Sequence, residues 1–442
     1  MTMVRKHLLI GAVATAGCAM PTAVAAQNLV PSATVTVGGG YSSNPFLGRA
    51  DSGGSANAQV TVTPRLDIID DTDSGVISGF YNRTEYFNGY DANDGYGVNV
   101  SANHAINTRA SVGVFAGYDS QILGANNGFS NSPVIVPGTI GTGAGGVGAV
   151  GTGGVGTDTG TGGTTGTVPV AVPVPTNPVI IDPGVIGGDI GLIGLRQRRN
   201  SLNAGVFGSY RPSEVSSWNF GANVSRNSYP DSSGLAISSR SYGVNTGYTR
   251  SLSERSSVGF QVSGTIVDYA RVPSSRFVNP QLTYSTQLAE RWSLNLAVGV
   301  SYVDDGFSSN VTPSANGSLC RSSERGNFCL LVARQPSVSA FGGARNQTSV
   351  SANYSYRLAE RTTLAANASY QRVSNGISLS PAASSGRDQG YINASATVSQ
   401  QLARRLSAFA TALYRDVNGL GVPTSADVGG RIGLALTVGG RQ

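Results

Sequence analysis

Leu288-Ala289-Glu290-Arg291-Trp292-Ser293-Leu294-Asn295-Leu296-Ala297-Val298-Gly299-Val300-Ser301-Tyr302 decides the architecture of this chain. After Trp292 every second residue is large and apolar. Leu294, Leu296, Val298, Val300 and Tyr302 oppose Asn295, Ala297, Gly299 and Ser301. Period-two alternation puts the two sets on opposite faces of a β-strand. The preceding Leu-Ala-Glu-Arg is a short polar interruption that reads as a tight turn. The same unit recurs along the chain. Val60, Val62, Leu66 and Ile68 oppose Gln59, Thr61, Thr63, Arg65 and Asp67, and Val258, Phe260, Val262 and Ile266 oppose Gln261, Ser263 and Thr265.

The turn is repeated too. Leu252-Ser253-Glu254-Arg255, Leu358-Ala359-Glu360-Arg361 and Leu402-Ala403-Arg404-Arg405 are close copies, and Ile106-Asn107-Thr108-Arg109 is a looser one. Arg211-Pro212-Ser213-Glu214 and Asp70-Asp71-Thr72-Asp73 fill the same place with other turn residues. Seven short hairpins use fourteen strands. One strand precedes them, near Ser32 to Tyr41, and one follows, near Val428 to Val438, which makes sixteen. A further hairpin within Asp304–Asn346, around Phe328 to Phe341, would make eighteen. All remaining connections are longer and fall on the opposite rim. Short turns at one rim and long loops at the other predict an all-β, antiparallel, up-and-down transmembrane barrel with periplasmic termini.

Composition fits that reading. Charged residues are 12% of the 442, about half the usual share, and Gly contributes 60. A soluble sandwich would also alternate, but with a buried face richer in Leu, Ile and Phe. Arg5 and Lys6, the apolar run Leu8 to Ala16, and Ala23-Val24-Ala25 form a secretory signal, so residues 1–26 are expected to be removed and 27–442 to form the barrel. Cys18 lacks the upstream Leu of a lipidation site. Removal of Arg5 and Lys6 from thirty cations leaves 28 against 24 acids. The remaining cations are scattered arginines, without the basic stripe and interleaved aromatics that nucleic-acid binding needs. No apolar run after the signal is long enough for a transmembrane helix.

Residues 121–197 form a low-complexity loop, Gly/Thr-rich and then Val-Pro alternating. Such a segment buries too little to fold alone. It is expected to hang disordered outside, with folding into the lumen as a constriction the alternative. Gly153-Gly154-Val155-Gly156-Thr157-Asp158 begins like a calcium-binding β-roll repeat, but Gly160 stands where an apolar residue is needed and no tandem copy follows.

Candidate functional residues are few. On the phase above, Arg65, Asp67, Arg83 and Glu85 point into the lumen as a pore-lining group of opposite charges, or as a pair that only braces the wall. Cys320 and Cys329 lie close together in a polar loop and, after export, form a disulfide. His104, the one mature histidine, shares the lipid-side parity of Val98 and Val100. No catalytic set, metal cluster or cofactor motif is visible, so an enzyme is not expected. Tyr41, Tyr210, Tyr229, Tyr242, Tyr302, Tyr354, Tyr370 and Tyr414 sit near strand ends, as aromatic girdles do. The rest of the inner face is Asn, Ser, Thr, Gln and Gly, which suits neutral, hydroxyl-rich cargo.

Gly40-Tyr41-Ser42-Ser43-Asn44-Pro45-Phe46, just after the signal, is similar to the G-Y-x-x-N-x-F opening of the β-barrel porin type 2 family of proteobacterial outer membranes. With the repeated L-A-E-R turns, the resemblance covers essentially the whole mature chain. It implies an outer-membrane pore serving exopolysaccharide export. The implied partners are outer-membrane lipid, the barrel-insertion machinery, the polysaccharide and periplasmic export proteins. The chain departs from the usual pattern in ending Val438-Gly439-Gly440-Arg441-Gln442, without a terminal aromatic. A structural or adhesive barrel working through its loops is the rival reading.

Overall fold

The computed structural model describes residues 28–48, 53–70, 72–123, 190–194, 196–230, 236–374, 388–419 and 425–440. The signal-peptide reading of 1–26 and the β-roll match at 153–158 lie outside them. The first strands are β1 (Asn28–Ser42), β2 (Ser55–Ile69), β3 (Asp73–Tyr86), β4 (Asn93–Asn107), β5 (Ala110–Ile122) and β6 (Arg198–Ser213). Then come β7 (Ser216–Ser228), β8 (Ser239–Ser253), β9 (Ser256–Tyr269), β10 (Ser275–Ala289), β11 (Trp292–Asp304) and β12 (Ser309–Ser322). The last are β13 (Gly326–Val338), β14 (Ala344–Ala359), β15 (Thr362–Ser374), β16 (Gln389–Ala403), β17 (Leu406–Asn418) and β18 (Asp427–Gly439).

Each strand pairs antiparallel with its sequence neighbours. β1 also pairs with β18, from Ser32–Gly439 to Ser42–Gly429, so the 18-stranded sheet closes on itself. Closure removes the edge strands that hydrocarbon could not satisfy. The count is the higher of the two that the sequence allowed, because Asp304–Asn346 contains the additional hairpin β12–β13, turning at 323–325. Both ends of the described chain lie at the short-turn rim.

Alternation is visible in burial. Along β2, Ser55, Asn57, Gln59 and Thr61 are buried on the inner face, while Ala56, Ala58 and Val60 are exposed on the outer face. The outer face carries Val244, Leu282, Val298, Val300, Ile432 and Leu434, all exposed. A contiguous apolar exterior of this kind is made for lipid. The eight tyrosines named above are exposed, except Tyr229, which is buried inside the loop-side mouth and belongs to no girdle.

The repeated turns have a common construction. The register slips by one residue as the chain enters them, between Ala105 and Asn107, Ser251 and Ser253, Gln287 and Ala289, Arg357 and Ala359, and Gln401 and Ala403. The residue at each bulge is Ile106, Leu252, Leu288, Leu358 or Leu402, exposed at the rim. The conserved look of the leucine in these copies is thus a bulge with an apolar anchor at the membrane boundary. Each turn also accepts a bond from the next hairpin: Ser251 N–H to Val215 O (2.7 Å), Gln287 N–H to Arg255 O (2.8 Å) and Gln401 N–H to Arg361 O (2.8 Å).

Cys320 and Cys329 do not lie in a loop. They face each other across β12 and β13, on the inner side near the short-turn rim, and are joined as a disulfide.

Because Val298 stands mid-strand on the lipid side, Val298→Arg should lower unfolding stability in lipid by about 2–4 kcal/mol. Val298→Leu should leave it within about 0.5 kcal/mol. Equal urea midpoints for the two variants in lipid vesicles would contradict the assigned faces.

Candidate functional site: an inward-folded constriction

The turn after β1 begins with Asn44-Pro45-Phe46-Leu47. Leu47 N–H donates to Asn44 O (3.1 Å), with Pro45 supplying the fixed φ that such a turn uses at its second position. The Asn44 side chain completes the loop: its Oδ1 accepts from Gly48 N–H (3.0 Å), and its Nδ2 donates to Ser425 O (2.8 Å). Leu47 has a left-handed backbone, φ 54°. That conformation is uncommon for a side chain of this size, and it is held by what surrounds it.

What holds it is a buried ion pair. Arg415 on β17 donates from Nε (3.1 Å) and Nη2 (2.7 Å) to Asp427 Oδ2 on β18, and from Nη2 to Pro45 O (2.9 Å). Asp427 Oδ1 accepts from Ser42 Oγ (2.6 Å) and Asn44 N–H (3.0 Å). Asp427 is wholly buried and Arg415 is 4% exposed. Buried charges of this kind persist only when paired and hydrogen-bonded. Here the pairing also fixes the 43–48 loop inside the mouth.

Two side chains of that loop do the narrowing. Leu47 packs with Ile190, Ile193, Val373, Tyr391 and Val417, the last three on the inner wall of β15 to β17. Phe46 lies 5.4 Å from both Tyr86 and Tyr90, with the Arg196 guanidinium 4.5 Å from its ring centre. Ile190–Leu192 is a single 3₁₀ turn at the end of the long β5–β6 connection. Gly194 follows with φ 86°, and a Cβ there would stand 2.9 Å from Leu47 O. Only glycine fits that approach. Leu192 reaches Leu123, Tyr229, Ala340 and Phe341 on the other flank. β6 and β16 are almost opposite each other in the ring. The segment entering β6 therefore crosses the mouth to touch the far wall.

The disordered-outside expectation for 121–197 is corrected for its described end. Residues 190–194 and 196–197 fold inward, because Ile190, Leu192 and Ile193 are large apolar groups that find cover against the inner wall and the loop-side mouth. Residues 124–189 lie outside the described residues.

The charged candidates separate. Arg65 and Asp67 face inward and bind each other, with Arg65 Nε 2.9 Å from Asp67 Oδ2. Arg83 and Glu85 face outward. Arg83 is directly opposite Val60 and Glu85 opposite Ala58, whereas Asn82 and Thr84 oppose the inner-face residues Thr61 and Gln59. They form an ion pair on the outer surface near the loop-side rim. The lumenal expectation for these two is corrected: adjacent Phe80 and Tyr81 left the phase of β3 open, and Phe80 is the one that turns inward. The inner face holds other charges that alternation alone does not single out. Arg199 pairs with Asp119 (3.4 Å), Arg431 Nη1 donates to Gln59 Oε1 (3.2 Å), and Arg345 Nη1 donates to Gln389 Oε1 (3.4 Å). His104 is exposed on the outer face, 2.7 Å from Asp73. Among the described residues no group of three His, Cys, Asp or Glu could hold a metal ion.

No family model matches this chain, and no curated protein matches it. Solved structures similar to it include three from Pseudomonas aeruginosa. OccK2 (OpdF) is 10% identical, with a TM-score of 0.46 over 93% of this chain and 98% of that one. OpdQ is 10% identical, with a TM-score of 0.43 over 93% and 98%. OccK7 (OpdD) is 10% identical, with a TM-score of 0.43 over 94% and 100%.

Asp427→Ala leaves the Arg415 guanidinium buried without its carboxylate and strips Ser42 and Asn44 of their acceptor. We expect a loss of about 3–5 kcal/mol, read from the urea midpoint in lipid vesicles, together with a larger, noisier single-channel conductance. Unchanged conductance at a lowered midpoint would mean that the pair braces the wall without setting the aperture.

Proposed function

We propose that this protein is a non-enzymatic pore of the bacterial outer membrane. The observation that carries the reading is the sidedness of one closed sheet. Its outside is apolar and exposed, and its inside is lined by amides and hydroxyls. Gln261, Gln281, Ser314 and Asn279 form one such inner network, with links of 2.6, 3.1 and 2.8 Å. A polar interior within an apolar cylinder is a water path across hydrocarbon. The inward 43–48 and 190–194 segments narrow that path near the loop-side mouth, so they set which solutes enter.

The finer reading is passage of a neutral, hydroxyl-rich polymer, an extracellular polysaccharide on its way out. Its support is the neutral amide lining and the resemblance carried by Gly40 to Phe46. On this reading the chain is inserted by the barrel-insertion machinery, is surrounded by outer-membrane lipid and works with periplasmic export proteins. The mouth-crossing segment favours a second reading, a scaffold whose loops bind and whose lumen is shut.

Planar-bilayer recording separates the two. Purified protein should give ohmic steps with weak ion selectivity, because the described inner charges mostly occur as balanced pairs. A silent protein that is folded and inserted would favour the scaffold. Deletion of the encoding gene should lower secreted polysaccharide several-fold, and an unchanged yield would remove the polymer reading while leaving the pore.

A further inference from the structure

The inner wall of β4, β5 and β6 brings two aromatic rings and two amides together. Down β5 the inward residues are Gln121, Asp119, Gly117, Phe115 and Gly113. Opposite them on β6 stand Arg199, Ser201, Asn203, Gly205 and Phe207. Each phenylalanine thus faces a glycine on the partner strand. The Phe115 ring occupies the space that a Gly205 side chain would fill, and the Phe207 ring that of Gly113. Each ring therefore reaches across to its partner strand along the inner wall. The two ring centres are 6.5 Å apart and inclined by 33°, and both side chains remain partly exposed. Together they make a shelf.

Amides stand directly above the shelf. Gly117 is flanked by Asn99 of β4 and Asn203 of β6, whose Oδ1 atoms both come within contact distance of where its Cβ would be. The buried Asn203 Oδ1 has no hydrogen-bond partner. On the neighbouring β2–β3 wall Asn57, Thr61, Asn82 and Thr84 are each at most 3% exposed, and their side-chain polar atoms likewise meet no protein partner. Buried polar groups left in this state are costly.

A sugar residue matches both halves. Its axial C–H groups form an apolar face that stacks on an aromatic ring, which offers a negative π-face. Its equatorial hydroxyls donate to and accept from amides. We infer that Phe115 and Phe207, with Asn99 and Asn203 above them, form a stacking subsite for a neutral oligosaccharide passing along the β4–β6 wall. This rests on the pore reading. An ionic solute would instead meet the Asp119–Arg199 pair on the same wall.

The test is ion current through the full-length protein in a planar bilayer, with maltohexaose as the probe on both sides. The wild type should be blocked in a concentration-dependent way. Phe115→Leu/Phe207→Leu keeps the wall covered but removes both ring faces, and its block should weaken at least tenfold at nearly unchanged KCl conductance. Phe115→Tyr/Phe207→Tyr keeps the rings and should be blocked like the wild type. A wild type that conducts but is not blocked, or a leucine variant blocked as strongly as the wild type, overturns the subsite and leaves the pore. A wild type that does not conduct overturns the pore reading and the subsite with it.

Discussion

Backbone hydrogen bonding without an edge is the constraint on which the rest of this structure depends. Inside hydrocarbon no water meets an unpaired N–H or C=O, so an open sheet there would be costly along its whole length. The β1–β18 seam meets that demand, and Thr34 and Thr437, 403 residues apart in sequence, even share a side-chain hydrogen bond across it. Once the ring is closed, sidedness follows. Each strand must show one row of side chains to lipid and one to the lumen, and the low charge content of the chain is the compositional trace of that division.

The lumen is where the sequence departs from repetition. The same glycines and amides that make the inner wall unobtrusive also let short segments fold against it. Leu47, Ile190 and Ile193 would be misplaced in water; inside the mouth they find Val373, Tyr391 and Val417. The Arg415–Asp427 pair turns this packing into a fixed geometry, because Asp427 gathers donors from the end of β1 and the loop that follows while Arg415 holds the Pro45 carbonyl.

Most of the strand plan was legible because period-two alternation is a local signal, and the turn copies marked where it resets. Two places resisted. In β13, Leu330-Leu331-Val332 puts apolar groups on both faces, so the alternation that marks a strand disappears. In β3, Phe80 and Tyr81 stand side by side, and either could have been the lipid-facing one; the choice decided where Arg83 and Glu85 point. The constriction was legible only in part. Asn44 and Pro45 announce a turn, but its inward direction depends on Asp427, 383 residues away from Asn44. Nothing within reach of a local pattern could have supplied that partner.

The seam has a consequence in time. Neighbouring hairpins can form as soon as their residues are available, whereas the last ladder must wait until the carboxyl-terminal strand exists. Long-range pairings of this kind are entropically late and slow to form. A chain shortened at either end would keep nearly all its hairpins yet present two raw borders to the bilayer. The completeness of the polypeptide is therefore sensed at a single joint, and assembly behaves less like gradual accretion than like the fastening of a clasp.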